Sequence, residues 1–161
     1  MKKSHKLSIF FCTRTFESEA VFLPKAPNSL EVRGVSMACS SMVKDIFLLK
    51  AFEAGADAVT VWVCPEGKCR HVEGNLRARK RVERVKALLE AIGFNGRRLT
   101  FFNLIPGDLA SASDILEGIV ATFNIIDGGP SKVSGCCFPG NAALKIQSPF
   151  GSNHSIQTDF R

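Results

Sequence analysis

The sequence predicts an α/β fold, a three-layer sandwich built on a short parallel sheet of about four strands. Two observations predict it. Four apolar runs rich in β-branched and aromatic residues alternate with segments of helical periodicity, which is the pattern of strand–helix–strand units. These runs also lack the strict apolar–polar alternation of a half-exposed sheet, which indicates strands covered by helices on both faces.

The predicted elements follow one another along the chain. Strands are expected at residues 7–12, 30–39, 58–64 and 98–105. Helices are expected at 41–54, 73–92 and 108–123, with a short one at 17–23. Ser40 or Ser41 is expected to cap the helix at 41–54, and Gly55 to end it. In the next helix one apolar stripe precedes Gly93, and it consists of Val82, Val85, Leu89 and Ile92.

A length of 161 residues is typical of one domain, which we expect to cover residues 1–126. Residues 127–161 are rich in Gly, Pro, Ser and Asn and are predicted to form a flexible, disordered tail. Cys136 and Cys137 lie in this tail and receive no assigned role.

No segment approaches the roughly 18–20 apolar residues of a membrane span, and the first residues lack a signal-peptide pattern. We therefore expect a cytoplasmic location and no membrane partner.

The basic character of the chain is concentrated in one segment. From Lys68 to Lys86 there are eight basic and two acidic residues. The net charge of this segment is therefore +6, the same as that of the whole chain. A nucleic-acid partner is disfavoured because no aromatic residue is interleaved for base stacking and the cations are spread around the helix. A solvated helix surface or docking onto an acidic partner subunit explains the segment better.

Cysteines occupy the ends of three predicted strands, at Cys12, Cys39 and Cys64. Parallel strands bring these ends to one edge of the sheet, the edge where open α/β sheets bind ligands. Cys69 follows in a loop with the turn-forming residues Pro65 and Gly67. Four thiolates without a neighbouring carboxylate suit a soft metal centre, either zinc or an iron–sulfur cluster. The spacing does not separate these two, and cysteine also occurs as a small buried apolar residue.

Enzymatic interpretations have weaker support in the sequence. No glycine-rich phosphate loop follows a strand, so a nucleotide site is disfavoured. His71 is close to Cys69 in sequence, which makes a Cys–His couple conceivable. A position at the start of the helix, or a hydrogen bond beside a metal centre, explains His71 better.

Three motifs in this region point to a known family. They are Gly55-Ala56-Asp57, Cys64-Pro-Glu-Gly-Lys-Cys69, and the segment from His71 to Arg79 with its Val-Glu-Gly-Asn core. With these motifs the chain, from about Leu7 to about Phe123, resembles the delta (iron–sulfur) subunit family of methyl-viologen-reducing, deazaflavin-non-reducing hydrogenases. Members of that family occur in anaerobic archaea and bacteria.

The resemblance implies an electron-transfer subunit of an oxidoreductase complex with no substrate of its own. It implies a 2Fe–2S cluster and electron relay between a hydrogenase or other dehydrogenase and the flavin-containing subunit of a heterodisulfide reductase-type complex. The expected ligands of the cluster are Cys12, Cys39, Cys64 and Cys69. We expect the partner to meet Arg70, His71 and the helix at 73–92. A zinc-stabilised binding module and a structural subunit without cofactor are the alternatives.

The chain departs from the pattern of that family at two positions beside the expected ligands. Thr15 stands where the resemblance leads us to expect a second cysteine after Cys12, and Ser40 stands where glycine is common after Cys39. Four thiols remain, which is the number that a 2Fe–2S cluster requires.

Overall fold

A parallel four-stranded sheet forms the centre of the structure, a computed structural model that describes residues 4–127. Its strands are β1 (His5–Cys12), β2 (Leu30–Met37), β3 (Ala58–Val63) and β4 (Leu99–Asn103). They lie in the order β2-β1-β3-β4, and every neighbouring pair is parallel. The predicted α/β class and the strand number are confirmed.

Three α-helices cover the sheet. They are α1 (Asp45–Glu53), α2 (Gly74–Ala91) and α3 (Leu109–Asp127). Short 3-10 turns connect the elements at Glu19–Val21, Leu23–Lys25, Ser40–Met42 and Gly96–Arg98. The first of these turns lies where the sequence predicts one short helix, and the second begins at the end of that segment and contains Pro24.

The helices lie on both faces of the sheet and enclose two apolar cores. Every residue of β3 is buried, and its side chains alternate between the cores. Val61 packs with residues of α1 and α2, including Leu48 and Val82. Trp62 packs on the other face with residues of α3 such as Leu116. This arrangement confirms the three layers and explains why the strands lack polar alternation.

Two local expectations are wrong. Neither Ser40 nor Ser41 caps α1, because Cys39 caps the 3-10 turn that precedes it and α1 begins only after Lys44. Ile92 does not belong to the apolar stripe of α2, because it follows the last helical residue and is 77% exposed. The other three members of that stripe are buried.

The left-handed glycines that follow α1 and α2 are as expected. Gly55 and Gly93 have φ angles of 90° and 76°, a conformation that glycine adopts without steric cost and that commonly ends a helix.

The predicted tail at 127–161, with Cys136 and Cys137, lies outside the described residues apart from Asp127, the last residue of α3. Over residues 4–127 the helices are all too short or too polar to cross a lipid bilayer.

The start of α3 is fixed by Asp108. Its carboxylate accepts hydrogen bonds from the backbone N–H of Ser111 at 3.0 Å and from the Ser111 hydroxyl at 2.6 Å. These bonds lower the pKa of Asp108. The geometry is that of an N-terminal helix cap, which satisfies a backbone donor that the helix leaves free.

We predict that Asp108→Ala lowers the free energy of unfolding by about 1 kcal/mol at neutral pH. Because the pKa of Asp108 is lower in the folded protein, this contribution is present above the pKa of the unfolded chain. It is lost as the pH falls through the lower folded value, below roughly pH 4. Urea denaturation at several pH values measures it. Glu117→Ala, an exposed change on the same helix, is the control, and equal effects of the two substitutions would contradict the prediction.

Candidate metal centre

The first three cysteines lie at one edge of the sheet, as predicted. Cys12 is the last residue of β1 and is paired with Met37, the last residue of β2. Cys39 lies two residues beyond β2, and Cys64 follows β3 directly. Since β2, β1 and β3 are adjacent and parallel, their carboxyl ends meet. All three cysteine side chains are buried.

The loop after β3 returns Cys69 to the same place. Gly67 has a φ angle of 72°, and the N–H of Lys68 donates to the carbonyl of Pro65 at 3.1 Å, so the chain reverses direction. Cys69 and Cys12 both lie near enough to Cys64 to raise the pKa of its thiol, and the thiols of Cys64 and Cys69 are within reach of each other. Three of the four predicted ligands are therefore neighbours.

The fourth, Cys39, meets Cys69 across the backbone of Gly74. A Cβ atom built on Gly74 would lie 2.5 Å from the sulfur of Cys39 and 3.0 Å from that of Cys69. The two sulfur atoms are thus separated by no more than the sum of these distances. Real Cβ atoms almost never approach another atom as closely as 2.5 Å, so a residue other than glycine would displace the sulfur of Cys39. The sequence places Gly74 in a family motif without indicating its role. That role depends on how a helix approaches the edge of the sheet, which is a matter of tertiary structure.

The first turn of α2 stabilises the thiolate form of Cys69. Burial acts to raise the pKa of this thiol, but hydrogen bonds from the backbone N–H groups of His71, Asn75 and Gly74 outweigh that effect, and the pKa is lowered. The hydrogen bond from Cys64 acts in the same direction. Helix N-termini commonly activate cysteines in this way.

Cys64 has the opposite environment. Burial, followed by the influence of Cys69 and Cys12, raises the pKa of Cys64 to about 12. A thiol must lose its proton to bind a metal. In the protein without a metal, Cys64 therefore holds its proton more tightly than Cys69 does.

Ser41 supplies two donors to the sulfur of Cys39. Its hydroxyl lies 3.3 Å from that sulfur and its backbone N–H lies 3.5 Å away. The sequence suggests Ser41 only as a helix cap. The 3-10 turn after Cys39 instead directs both groups back toward the thiol.

Two amide side chains hold the loop that follows β3. The side-chain NH₂ of Asn75 donates to the carbonyl of Cys64 at 3.1 Å and to that of Pro65 at 2.9 Å. Asn103 also donates to the carbonyl of Cys64, at 3.1 Å. Asn75 is buried, and its bond to Cys64 is sheltered from water. The sequence indicates only that Asn75 lies at a helix start.

Several cations of the basic segment have structural partners. The guanidinium of Arg81 donates to the carbonyls of Ser41 and Val43, each at 2.6 Å, and so joins α2 to the turn after Cys39. Arg84 forms an ion pair with Asp45 at the start of α1. The expected docking surface of the helix therefore has fewer free cations than its sequence suggests.

A cleft opens beside Cys39 and Gly74. Its volume is about 400 Å³, and its walls are formed by Ala38, Cys39, Ser41, Met42, His71, Gly74 and Arg77. The side chain of Met42 is 54% exposed, and that of Val72 next to the cleft is 79% exposed. Val72 also has a φ angle of 59°, which is unusual for a β-branched residue. Cys39 thus borders the cleft directly, and Cys69 is only partly buried.

The donor set fits a soft metal centre, because it consists of thiols served by N–H and O–H donors. Its arrangement is pairwise: Cys64 contacts Cys69, and Cys39 meets Cys69 across Gly74. Within residues 4–127, no group of three or more His, Cys, Asp or Glu side chains is placed around a single point that could hold one metal ion.

Fold and site together define a class: a small parallel α/β protein with a cysteine-lined site at the carboxyl edge of its sheet. The methyl-viologen-reducing hydrogenase delta subunit family matches residues 9–125. The chain belongs to this family, as the sequence motifs predicted.

Individual relatives agree with this assignment. The vhu iron-sulfur subunit of the F420-non-reducing hydrogenase from Methanocaldococcus jannaschii is 39% identical over 101 residues, which are 63% of this chain and 75% of the relative. The iron-sulfur subunit of the F420-non-reducing hydrogenase from Archaeoglobus profundus is 35% identical over 101 residues, 63% of this chain and 72% of that protein. One subunit of the ferredoxin/F(420)H(2)-dependent CoB-CoM heterodisulfide reductase from Methanosarcina acetivorans is 35% identical over 68 residues. These residues are 42% of this chain and 9% of that much longer protein.

We predict that Gly74→Ala separates Cys39 from Cys69. The added methyl group would overlap both sulfur atoms, and relief of such overlap typically costs about 1–3 kcal/mol. Thermal unfolding measures this cost. Glu73→Ala, which removes only an exposed ion pair with Arg77, is the control and should change stability by less than about 0.5 kcal/mol. A Gly74→Ala protein as stable as the wild type would show that the close approach is not required.

We also predict that Asn75→Asp loosens the loop after β3. The substitution replaces the NH₂ donor by a carboxylate oxygen facing two carbonyl groups, at an expected cost of about 2 kcal/mol or more. Hydrogen exchange at residues 64–69 reports the loosening directly. Asn95→Asp is the matched control, because Asn95 uses its side-chain oxygen only as an acceptor from Arg97, which aspartate retains. Equal protection of the loop in both variants would contradict the assigned role of Asn75.

Proposed function

We propose that this protein is an electron-transfer subunit that carries a 2Fe–2S cluster on Cys12, Cys39, Cys64 and Cys69. The observation that supports it most is the meeting of Cys39 and Cys69 over Gly74, with Cys64 in contact with Cys69 and close to Cys12. Four thiols suit a two-iron cluster, in which each iron takes two cysteine ligands. When bound, the cluster supplies a centre that accepts and releases one electron at a time.

The surrounding residues favour uptake of an electron. Four thiolates carry excess negative charge, which grows when the centre is reduced. The backbone N–H groups at the start of α2 point at Cys69, and Ser41 donates to Cys39. Hydrogen bonds to sulfur stabilise the more negative state and raise the reduction potential.

The cleft beside Cys39 gives the electron its route to a partner. Cys69 is only partly buried, and the rim near it carries exposed apolar side chains, Met42 and Val72, next to His71 and Arg77. An apolar rim with the guanidinium of Arg77 beside it suits a partner surface that is apolar at its centre and acidic at its edge. In this proposal the partner docks over the cleft and contacts Arg70, His71 and the first turns of α2.

The relatives suggest the two ends of the relay. Some are named as iron-sulfur subunits of F420-non-reducing hydrogenases, and others as subunits of a heterodisulfide reductase. A stretch similar to this chain within the long reductase protein indicates that such a domain works beside the reductase. We propose that electrons pass between a hydrogenase or other dehydrogenase and a heterodisulfide reductase-type flavoprotein. A cytoplasmic location in an anaerobic organism is part of the same proposal.

Metal analysis of anaerobically purified protein tests the proposal. We expect brown protein with about two irons and two sulfides per chain. Cys39→Ser and Cys64→Ser should each lose most of this iron, since each removes one of four ligands. The double variant Cys136→Ser/Cys137→Ser, which changes thiols outside the proposed site, should keep it.

Two results would overturn the proposal. A colourless protein with one zinc per chain would favour the zinc-stabilised binding module. Unchanged iron in Cys39→Ser and Cys64→Ser, with loss in the Cys136→Ser/Cys137→Ser control, would move the cluster away from the sheet edge.

A further inference from the structure

Two buried hydroxyl groups beside the cysteines have no hydrogen-bond partner among the described residues. Thr15 is 2% exposed and Ser40 is 0% exposed, and the hydroxyl oxygen of each is unpaired. A buried polar group without a partner is destabilising and is rare in folded proteins. Both hydroxyls therefore require an acceptor that the described part of the polypeptide does not provide.

Both groups lie next to proposed ligands of the cluster. The carbonyl of Cys12 accepts hydrogen bonds from the N–H of Thr15 at 2.8 Å and of Phe16 at 3.2 Å, so the turn after β1 folds Thr15 back onto Cys12. The carbonyl of Thr15 accepts from the N–H of Gly107 at 3.0 Å, which fixes this turn against the segment after β4. Ser40 directly follows Cys39 and begins the 3-10 turn.

The positions coincide with the two departures of this chain from the pattern that the resemblance implies. Thr15 replaces an expected cysteine, and Ser40 replaces a common glycine. Each replacement introduces one buried O–H group beside a proposed ligand. Sulfur atoms of thiolates and of inorganic sulfide accept hydrogen bonds, and such bonds are among the influences that set the potential of an iron–sulfur cluster.

We propose that the hydroxyls of Thr15 and Ser40 donate hydrogen bonds to sulfur atoms of the bound centre and raise its reduction potential. The inference rests on the proposed function, because the acceptors are the inorganic sulfides that the cluster brings. In this view Thr15 is a hydrogen-bond donor that tunes the centre, rather than the remnant of a lost ligand.

The sheet contains a matched control for this idea. Thr60 is also fully buried with an unpaired hydroxyl, but it lies in the middle of β3, paired with Ile9 and Thr100. It is four residues before Cys64, which in a strand corresponds to roughly 13 Å. The hydroxyl of Thr60 therefore also lacks a hydrogen-bond partner among the described residues, but it is too far from Cys64 to contact it.

The experiment compares Thr15→Val, Ser40→Ala, Thr15→Ser and Thr60→Val in two states of the protein. In the metal-free protein, thermal unfolding should shift to higher temperature for Thr15→Val, Ser40→Ala and Thr60→Val, because each removes a buried unpaired hydroxyl. In the anaerobically reconstituted protein, the reduction potential should shift to more negative values for Thr15→Val and Ser40→Ala. It should stay at the wild-type value for Thr15→Ser, which keeps the hydroxyl, and for Thr60→Val.

Three outcomes would overturn the inference. If Thr15→Val and Ser40→Ala leave the potential unchanged, their hydroxyls do not reach the centre. If neither substitution stabilises the metal-free protein, a buried water molecule already serves as the acceptor. If Thr15→Ser shifts the potential as much as Thr15→Val, the effect comes from side-chain shape. A wild-type protein that binds no iron would overturn the proposed function as well, whereas loaded protein with unchanged potentials would contradict this inference alone.

Discussion

The shared direction of three neighbouring strands is the constraint on which the site depends. Because β2, β1 and β3 run parallel and lie side by side, residues far apart in sequence, Cys12, Cys39 and Cys64, end at one edge. The site is completed by the approach of α2, whose first residue, Gly74, has no side chain to keep Cys39 and Cys69 apart. The parallel direction of the strands brings the cysteines to one edge, and the absence of a side chain at Gly74 allows Cys39 and Cys69 to lie close together.

The same approach of α2 determines the electrostatics of the cysteines. Hydrogen bonds from the backbone N–H groups at the start of α2 lower the pKa of Cys69. Burial at the end of β3 raises the pKa of Cys64 to about 12. Asn75, one residue further along α2, binds the carbonyls of Cys64 and Pro65. The start of α2 therefore holds the loop after β3, lowers the pKa of Cys69 and leaves space for the sulfur of Cys39.

The periodicity of the elements and the parallel direction of the strands can be predicted from the sequence, whereas contacts between elements cannot. The short apolar runs predict the strands, and their terminal cysteines predict the shared edge, because both depend on local pattern and chain direction. The role of Gly74 depends on where α2 meets the sheet, which no local pattern encodes. Ser41 matches the pattern of a helix cap, but the turn capped by Cys39 directs it to that sulfur instead. Arg81 resembles a surface charge in the sequence, yet it binds two carbonyl groups in the structure.

X-ray absorption at the iron edge of anaerobically loaded protein tests the central claim most directly, namely that these four thiols hold one two-iron centre. We expect iron surrounded by four sulfur atoms, with a second iron as a near neighbour, and loss of this signal in Cys39→Ser. Iron with nitrogen or oxygen neighbours, or a sulfur shell with no second iron, would contradict it.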